Sequence, residues 1–191
     1  VSAAQLGKGG SYATLQIGAY PVVVVKGNDG VIRAFHNVCR HRGQKLCAKP
    51  TGSAPRIVCP YHQWTFDLDG KLLYARAMQE GFDPAAHGLK PVHCAVAAGM
   101  VFVCLAKDPA DFSAVQAAAN RYAAPHRLDD LKVAHSSTII ENGNWKLVME
   151  PFLEGYHVQR LHVNSVGPQG LDFFDDIVPK VERFGPHIRQ I

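Results

Sequence analysis

The sequence of 191 residues lacks a long apolar run, a basic cluster and an internal repeat. No stretch reaches the uninterrupted apolar length of about 20 residues that a transmembrane helix needs. Residues 1–5 have neither the basic region nor the apolar core of a signal peptide. A net charge of +4 without a basic run gives no support to nucleic-acid binding. We therefore expect a cytoplasmic protein that binds neither membranes nor nucleic acid.

Cysteine is scarce, and the five residues present are an odd number. Cys47, Cys94 and Cys104 belong to no motif, and in a reducing compartment we expect them to be free thiols, not disulfides. The length allows one or two domains, and a hydrophobic content of 47% is sufficient for a core.

The remaining two cysteines stand in two short motifs with histidine. Cys39 and His41 form C-x-H, and after residues 42–58 Cys59 and His62 form C-x2-H. In a Rieske 2Fe-2S centre one iron takes two Cys and the other takes two His. Two loops that each supply one Cys and one His meet that requirement, because each loop can reach both irons.

A structural zinc site is the alternative, since it also takes four nitrogen and sulfur ligands. Zinc ligands usually come in pairs of like residues at wider spacing, whereas C-x-H is a tight and unlike pair. Tyr61 and Trp64, beside the second motif, are expected either to shield the site from water or to pack in the core. On these residues alone both metal sites stay open.

The first part of the chain alternates short strand-like segments with turn residues. Turn chemistry at residues 27–30 and at Asp69-Gly70 predicts two β-hairpins. The sequence thus predicts an antiparallel β-domain with the two Cys/His loops at one end. Its predicted strands cover residues 12–17, 22–25, 31–35, 56–58, 64–68, 71–74, 92–96 and 100–105.

The composition shifts after the last of these strands. An Ala-rich stretch over residues 108–122 predicts a helix with Asp108 as its N-cap and Pro109 in its first turn. We place a domain boundary here, with one domain over 1–123 and a second over 124–191. A strand over 131–141 is expected to open the second domain.

A second group of candidate ligands lies in that domain. Pro151 is expected to kink the helix that precedes it. His157 and His162 are five residues apart, about 140° around an ideal helix, so the helix must end or bend before His162 if both face one ion. On the H-x4-H motif alone, two solvated histidines at the end of a helix are the favoured interpretation. The helix is predicted from apolar residues at i, i+3, i+4 and i+7, namely Trp145, Val148, Met149 and Phe152.

The first two motifs, with the segment up to Gly70, resemble the Rieske domain of the Rieske non-haem iron oxygenases. These are the terminal oxygenase (alpha) subunits of ring-hydroxylating dioxygenases and related monooxygenases. Gln63 stands where many relatives have Gly. Residues 61–64 are also similar to the oxygenases that act on quaternary ammonium compounds. The resemblance implies that a 2Fe-2S cluster is bound by Cys39, His41, Cys59 and His62.

Residues 144–162 are similar to the mononuclear-iron motif of the same family. The resemblance implies that His157 and His162 bind Fe(II) within a facial triad of two His and one carboxylate. It also implies that Glu154 bridges the Rieske centre of one subunit to the iron of its neighbour. Pro151 stands where relatives commonly carry Asn.

The third iron ligand of the family is an Asp much further along the chain. The carboxylates Asp172, Asp175, Asp176 and Glu182 match no part of the triad motif. Residues 184–189 are typical of the middle of a domain. We therefore expect a complete Rieske domain followed by only the opening of the catalytic domain.

The fold class that the resemblance implies is α+β, an antiparallel all-β Rieske domain followed by the beginning of an α+β, helix-grip-like catalytic domain. The implied function is oxygen insertion into an aromatic or small amine or ammonium substrate. Electrons would come from NAD(P)H through a flavin reductase, a ferredoxin or both. The implied assembly is a homotrimer or a hexamer of three alpha and three beta subunits. The alternative is a Rieske electron-transfer module without oxygenase activity, which would have no need of His157, His162 and Glu154.

Overall fold

The structure is a computed structural model that describes residues 1–153, 157–162, 164–165, 181–184 and 187–190. Its contacts divide the chain into two compact units, Val1–Asp130 and Leu131–Ile191. The predicted boundary after residue 123 falls at the end of a helix, and the assignment of two domains stays a prediction.

The first unit is built from two antiparallel sheets. Their strands are β1 (Ser11–Ile17), β2 (Tyr20–Lys26), β3 (Ile32–His36), β4 (Thr51–Ser53), β5 (Ile57–Val58), β6 (Thr65–Phe66), β7 (Leu72–Tyr74), β8 (Pro91–Ala97) and β9 (Met100–Cys104). The larger sheet has the strand order β4-β1-β2-β3-β8-β9, and the smaller has the order β5-β6-β7. Both predicted hairpins are confirmed, because β2 pairs with β3 and β6 pairs with β7.

Strand β2 lies inside the larger sheet and is covered on both faces. Side chains alternate between the faces of a strand, so Val23 and Val25 pack on one side and Val22 and Val24 on the other. All four are fully buried, and each contributes about 1.5–3 kcal/mol of hydrophobic stabilisation. Cys39, Cys59 and Trp64 belong to the same core cluster as Val23 and Val25. The Cys/His loops therefore pack on this side of the sheet.

Helix α1 (Ser113–Ala123) begins later than the sequence indicates. The prediction of Asp108 as N-cap with Pro109 in the first turn is wrong. The Asp111 carboxylate instead accepts hydrogen bonds from the Ser113 backbone N–H at 2.9 Å and from its hydroxyl at 2.6 Å. These bonds satisfy donors at Ser113 that would otherwise be unpaired at the start of the helix.

The strand predicted over residues 131–141 is also wrong, because this segment has no regular secondary structure and is exposed. A strand is stable only when a neighbouring strand takes its N–H and C=O groups. In the part of the chain that the structure describes, no strand pairs with residues 131–141.

The described part of the second unit contains short helices and one hairpin after the irregular segment. Helix α2 (Trp145–Met149) is capped by the Asn144 side chain, which accepts from the Lys146 N–H at 3.0 Å. The chain then continues as a 3₁₀ turn over Glu150–Leu153, as expected where Pro151 cannot donate to the preceding turn. Helix α3 (Val158–Leu161) and the hairpin of β10 (Val181–Phe184) and β11 (His187–Gln190) follow. None of the described helices has the length and apolar character to cross a membrane.

Candidate metal centre

The two Cys/His loops have the same backbone hydrogen-bond pattern. In the first loop the Cys39 N–H donates to the Gln44 carbonyl at 2.8 Å, and the Gly43 N–H donates to the Cys39 carbonyl at 3.1 Å. In the second, the Cys59 N–H donates to the Trp64 carbonyl at 2.8 Å. The Gln63 N–H donates back to Cys59 at 3.0 Å. Each loop therefore closes over five residues and presents its Cys and His on the same short turn.

The two imidazoles of these loops converge. The Nδ1 atoms of His41 and His62 are 3.1 Å apart, and the ring centroids are 4.7 Å apart. Partial desolvation lowers the pKa of His41, and the nearby His62 lowers it further. A lowered pKa favours the neutral imidazole, which is the form that binds metal.

Both thiols of these loops are buried, with Cys39 and Cys59 exposed by only 4% and 1%. Burial raises the pKa of Cys39, and the adjacent Cys59 thiol also raises it. The backbone N–H groups of His41 and Arg42 act in the opposite direction and lower the Cys39 pKa. Such N–H groups are the kind of donor that tunes a metal-bound sulfur.

The aromatic neighbours of the two histidines differ in burial. Trp64 is 3% exposed and stacks on the His41 ring with centroids 5.0 Å apart and planes 8° apart. Tyr61 stacks on His62 at 3.7 Å but is 60% exposed. Trp64 therefore belongs to the core and holds His41, whereas Tyr61 lies at the surface.

Asn37 supports the first loop, and the sequence reading missed it. This residue is fully buried. Its side-chain amide donates to the Cys47 carbonyl at 2.8 Å, and its side-chain oxygen accepts from the Cys47 N–H at 2.8 Å. The two bonds clasp the ends of the loop that carries Cys39 and His41. An Asn two residues before Cys39 was the only available signal.

A third segment, which no motif indicates, packs against the two loops. The Arg40 Nε donates to the Gly88 carbonyl at 3.1 Å, just after the 3₁₀ turn Pro84–His87. Phe82 and His87 lie edge-on to Trp64, with centroids 5.7 and 5.9 Å from it. Residues 82–88 thus brace both loops from a distant part of the sequence.

The donor set of these loops fits a Rieske cluster. Among the described residues, no three His, Cys, Asp or Glu side chains surround a single point. The predicted ligands stand instead as two buried thiols and two converging imidazoles, which is the division that two irons require. The assignment of Cys39, His41, Cys59 and His62 as cluster ligands stays a prediction.

The second pair of histidines is also brought together. His157 immediately precedes α3 and His162 ends it, so the helix stops where the spacing requires. Their ring centroids are 5.5 Å apart, which allows both to reach one ion. The His162 Nδ1 is 3.4 Å from the Ser165 hydroxyl. The third predicted site residue here, Glu154, lies outside the described residues, as do Asp172, Asp175 and Asp176.

Two protein families match the chain. Residues 1–96 match the Rieske 2Fe-2S domain. Residues 128–191 match the catalytic domain of the ring-hydroxylating alpha subunit.

The chain is 51% identical over 154 residues to the glycine betaine monooxygenase oxygenase subunit of Chromohalobacter salexigens, covering 80% of the chain and 35% of the relative. It is 36% identical over 164 residues to the carnitine monooxygenase oxygenase subunit of Escherichia coli K12, covering 83% of the chain and 43% of the relative. A solved quaternary ammonium Rieske monooxygenase in complex with L-carnitine matches with a TM-score of 0.74 and 31% identity, covering 95% of the chain and 50% of that structure. The chain therefore spans about a third to a half of the length of these proteins.

Proposed function

Because the chain belongs to the Rieske 2Fe-2S domain family, with the ring-hydroxylating alpha-subunit catalytic domain following it, we propose that this protein is a terminal oxygenase component. It would insert one oxygen atom from dioxygen into a small organic substrate. The observation that carries the proposal is the convergence of the His41 and His62 Nδ1 atoms, 3.1 Å apart, above two buried thiols.

In this proposal Cys39 and Cys59 hold one iron of the cluster, and His41 and His62 hold the other. A bound Rieske centre would accept and donate one electron, with a reduction potential of about −150 to +300 mV, well above that of plant-type ferredoxins. The chain's own residues would support the cluster in three ways. Trp64 holds the His41 ring, the backbone N–H groups of His41 and Arg42 stabilise negative charge on the Cys39 sulfur, and Asn37 keeps the first loop closed.

His157 and His162 would hold a mononuclear Fe(II), which when bound supplies the open positions for dioxygen and substrate. Their place at the two ends of α3 keeps both imidazoles on one side of the chain. We further propose that Glu154 links the two metal sites of adjacent subunits, because a carboxylate can accept hydrogen bonds from two metal-bound imidazoles.

For the substrate we propose a small quaternary ammonium compound of the glycine betaine class. The glycine betaine relative is 51% identical to this chain, and the carnitine relative is 36% identical. The net reaction would take one substrate molecule, dioxygen, two electrons and two protons, and form a hydroxylated substrate and water. An aromatic ring substrate is the less favoured class.

The proposed partners are a flavin reductase, a ferredoxin or both, which bring electrons from NAD(P)H. The proposed assembly is a homotrimer or a hexamer of alpha and beta subunits, and the proposed location is the cytoplasm. A domain boundary after residue 123 belongs to the same proposal.

The first test measures iron, zinc and acid-labile sulfide per chain in protein purified without oxygen, with an EPR spectrum after reduction. We expect two irons and two sulfides with the low average g-value of a Rieske centre, and an additional sulfide-free iron. His157→Ala and His162→Ala should each remove the additional iron and leave the sulfide unchanged. Cys59→Ala should remove the sulfide.

Zinc without sulfide would overturn the proposal as a whole. A Rieske spectrum with no iron that depends on His157 or His162 would mean an unfilled mononuclear site, in which these two histidines do not hold iron without the third ligand. Substrate-dependent dioxygen consumption with glycine betaine, L-carnitine and naphthalene then tests the substrate class. With glycine betaine, formaldehyde is a second readout, because the C–N bond of a hydroxylated N-methyl group breaks to release formaldehyde, the tertiary amine and a proton. Preferential turnover of naphthalene would contradict the quaternary ammonium assignment.

A further inference from the structure

The segment of the chain that carries both cluster loops has charged side chains of only one sign. Between Asp29 and Asp67 the chain has no carboxylate, and Arg33 in that interval is paired with Asp29 at 2.7 Å. Within the part of the chain that the structure describes, no salt bridge involves the four exposed cations Arg42, Lys45, Lys49 and Arg56.

Two of these cations, Lys49 and Arg56, line a groove of about 800 Å³. None of the residues that line it is Asp or Glu. Its floor is apolar, with Leu46 and Leu68 buried, and Val58 is 49% exposed. We name it the basic groove and define it by Tyr12, Leu46, Lys49, Arg56, Val58 and Leu68.

The basic groove adjoins both ligand loops. Val58 directly precedes Cys59, and Leu46 follows the first loop by two residues. The Leu46 and Leu68 side chains also belong to the same core cluster as Cys39 and Cys59. Lys49 and Arg56 lie on either side of β4, the edge strand of the larger sheet. A protein seated here would therefore lie close to the cluster ligands.

We propose that the basic groove docks an acidic electron-donor protein. The inference rests on the proposed function, which requires such a donor. Opposite charges steer two proteins together and fix their orientation. A protein interface also needs an apolar centre inside its polar rim, and the groove offers an apolar floor between Lys49 and Arg56.

The test measures the Kd for an acidic plant-type 2Fe-2S ferredoxin, with this protein in its iron-loaded form. The test variant is the double substitution Lys49→Glu/Arg56→Glu. At an ionic strength of about 0.1 M, where the Debye length is about 10 Å, we expect its Kd to rise about tenfold or more. At about 1 M, where the Debye length is about 3 Å, the difference should disappear.

The matched control is Lys107→Glu/Arg121→Glu, which makes the same change in net charge on exposed residues. Lys107 follows β9, at the opposite edge of the sheet from β4. Five strand spacings of about 4.8 Å put roughly 24 Å between those edges. We therefore expect the control to bind the ferredoxin like the wild type.

Iron and sulfide are counted in every preparation, which separates this inference from the proposed function. A wild type without sulfide would mean that the proposed function fails. An intact cluster with equal Kd values for the wild type and the test variant would overturn the docking site alone, as would a wild type that does not bind the ferredoxin.

Equal weakening of ferredoxin binding by the control variant would show that net charge, not the groove, drives binding, and the proposal would be wrong. A test variant that changes only the self-association of this chain would assign the groove to a second copy, and the proposal would be wrong.

Discussion

Gln63 adopts a left-handed backbone conformation, with a φ of 61°. Its counterpart in the first cluster loop is Gly43, with a φ of 73°. The two residues donate equivalent hydrogen bonds to the carbonyls of Cys59 and Cys39. A side chain with a Cβ costs about 1–2 kcal/mol in this region, whereas glycine adopts it freely. Gln63, which stands where many relatives have Gly, therefore destabilises the folded backbone locally, beside the candidate metal centre.

Gln63→Gly should raise the free energy of unfolding by about 0.5–1 kcal/mol. Removing the backbone strain stabilises the folded state by more than the added conformational entropy of glycine stabilises the unfolded chain. Urea unfolding of the iron-loaded protein measures this change. The matched control is Gly43→Gln, where a Cβ would meet no atom within 4 Å, so only the backbone cost should appear. We expect it to lower the free energy of unfolding by about 1 kcal/mol. Changes of the same sign in both variants would contradict the explanation.

At the scale of elements, the cluster loops depend on the strands that lead into them. Strand β3 ends at His36, and Asn37 follows directly with hydrogen bonds to both backbone groups of Cys47. The Asn37 N–H also donates to the carbonyl of Pro21 in β2 at 2.8 Å. The loop is therefore fastened to the central strands, and its shape does not rest on the metal alone.

Asn37→Ala should lower the free energy of unfolding by about 2–5 kcal/mol. The substitution leaves the N–H and C=O of Cys47 buried without partners, at about 1–3 kcal/mol each. Urea unfolding and the sulfide content per chain are the two measurements, and both should fall. Gln44→Ala serves as the control in the same loop, because its side chain is exposed and, among the described residues, bonds only to the Lys45 carbonyl at 3.4 Å. The control should stay within about 0.5 kcal/mol of the wild type. An equally small effect of Asn37→Ala would mean that the clasp does not hold the loop.

At the scale of the whole molecule, the chain consists of two compact units. The first contains both core clusters and all four predicted cluster ligands. Residues 131–141, which open the second unit, are exposed and without regular structure. Many apolar side chains of the second unit are exposed as well, among them Ile140 at 87% and Phe152 at 79%. The described fold thus buries the predicted cluster site well and leaves the second unit with little core.

Trypsin should cut first at Lys132, because exposed segments without backbone hydrogen bonds are the preferred sites of proteolysis. The fragment over residues 1–132 should keep its sulfide and its Rieske spectrum. Lys26 and Arg33 lie in paired strands and should resist cleavage. Mass spectrometry of the digest and sulfide measurement on the isolated fragment give the result. A first cut inside a strand, or a fragment without sulfide, would show that the first unit is not independent.

The sequence by itself determined the features that depend on residue type and short spacing. Cys and His side chains bind metal because of their own chemistry, so the two motifs could be recognised as candidate ligands from the sequence. The hairpins at residues 27–30 and at Asp69-Gly70 could be read as well, because turn residues act locally. The end of the helix before His162 followed from the helical repeat, once His157 and His162 were taken to face one ion.

Only the tertiary structure decided which distant segments meet. The stacking of Trp64 on His41, the clasp between Asn37 and Cys47, and the bracing of the loops by residues 82–88 join parts of the chain that no local pattern connects. Strand β4 is three residues long, too short to show alternation, and exists because β1 supplies its partner groups. The predicted strand over 131–141 failed for the converse reason. Hydrogen bonds between strands need a partner in space, and the sequence of one strand does not specify it.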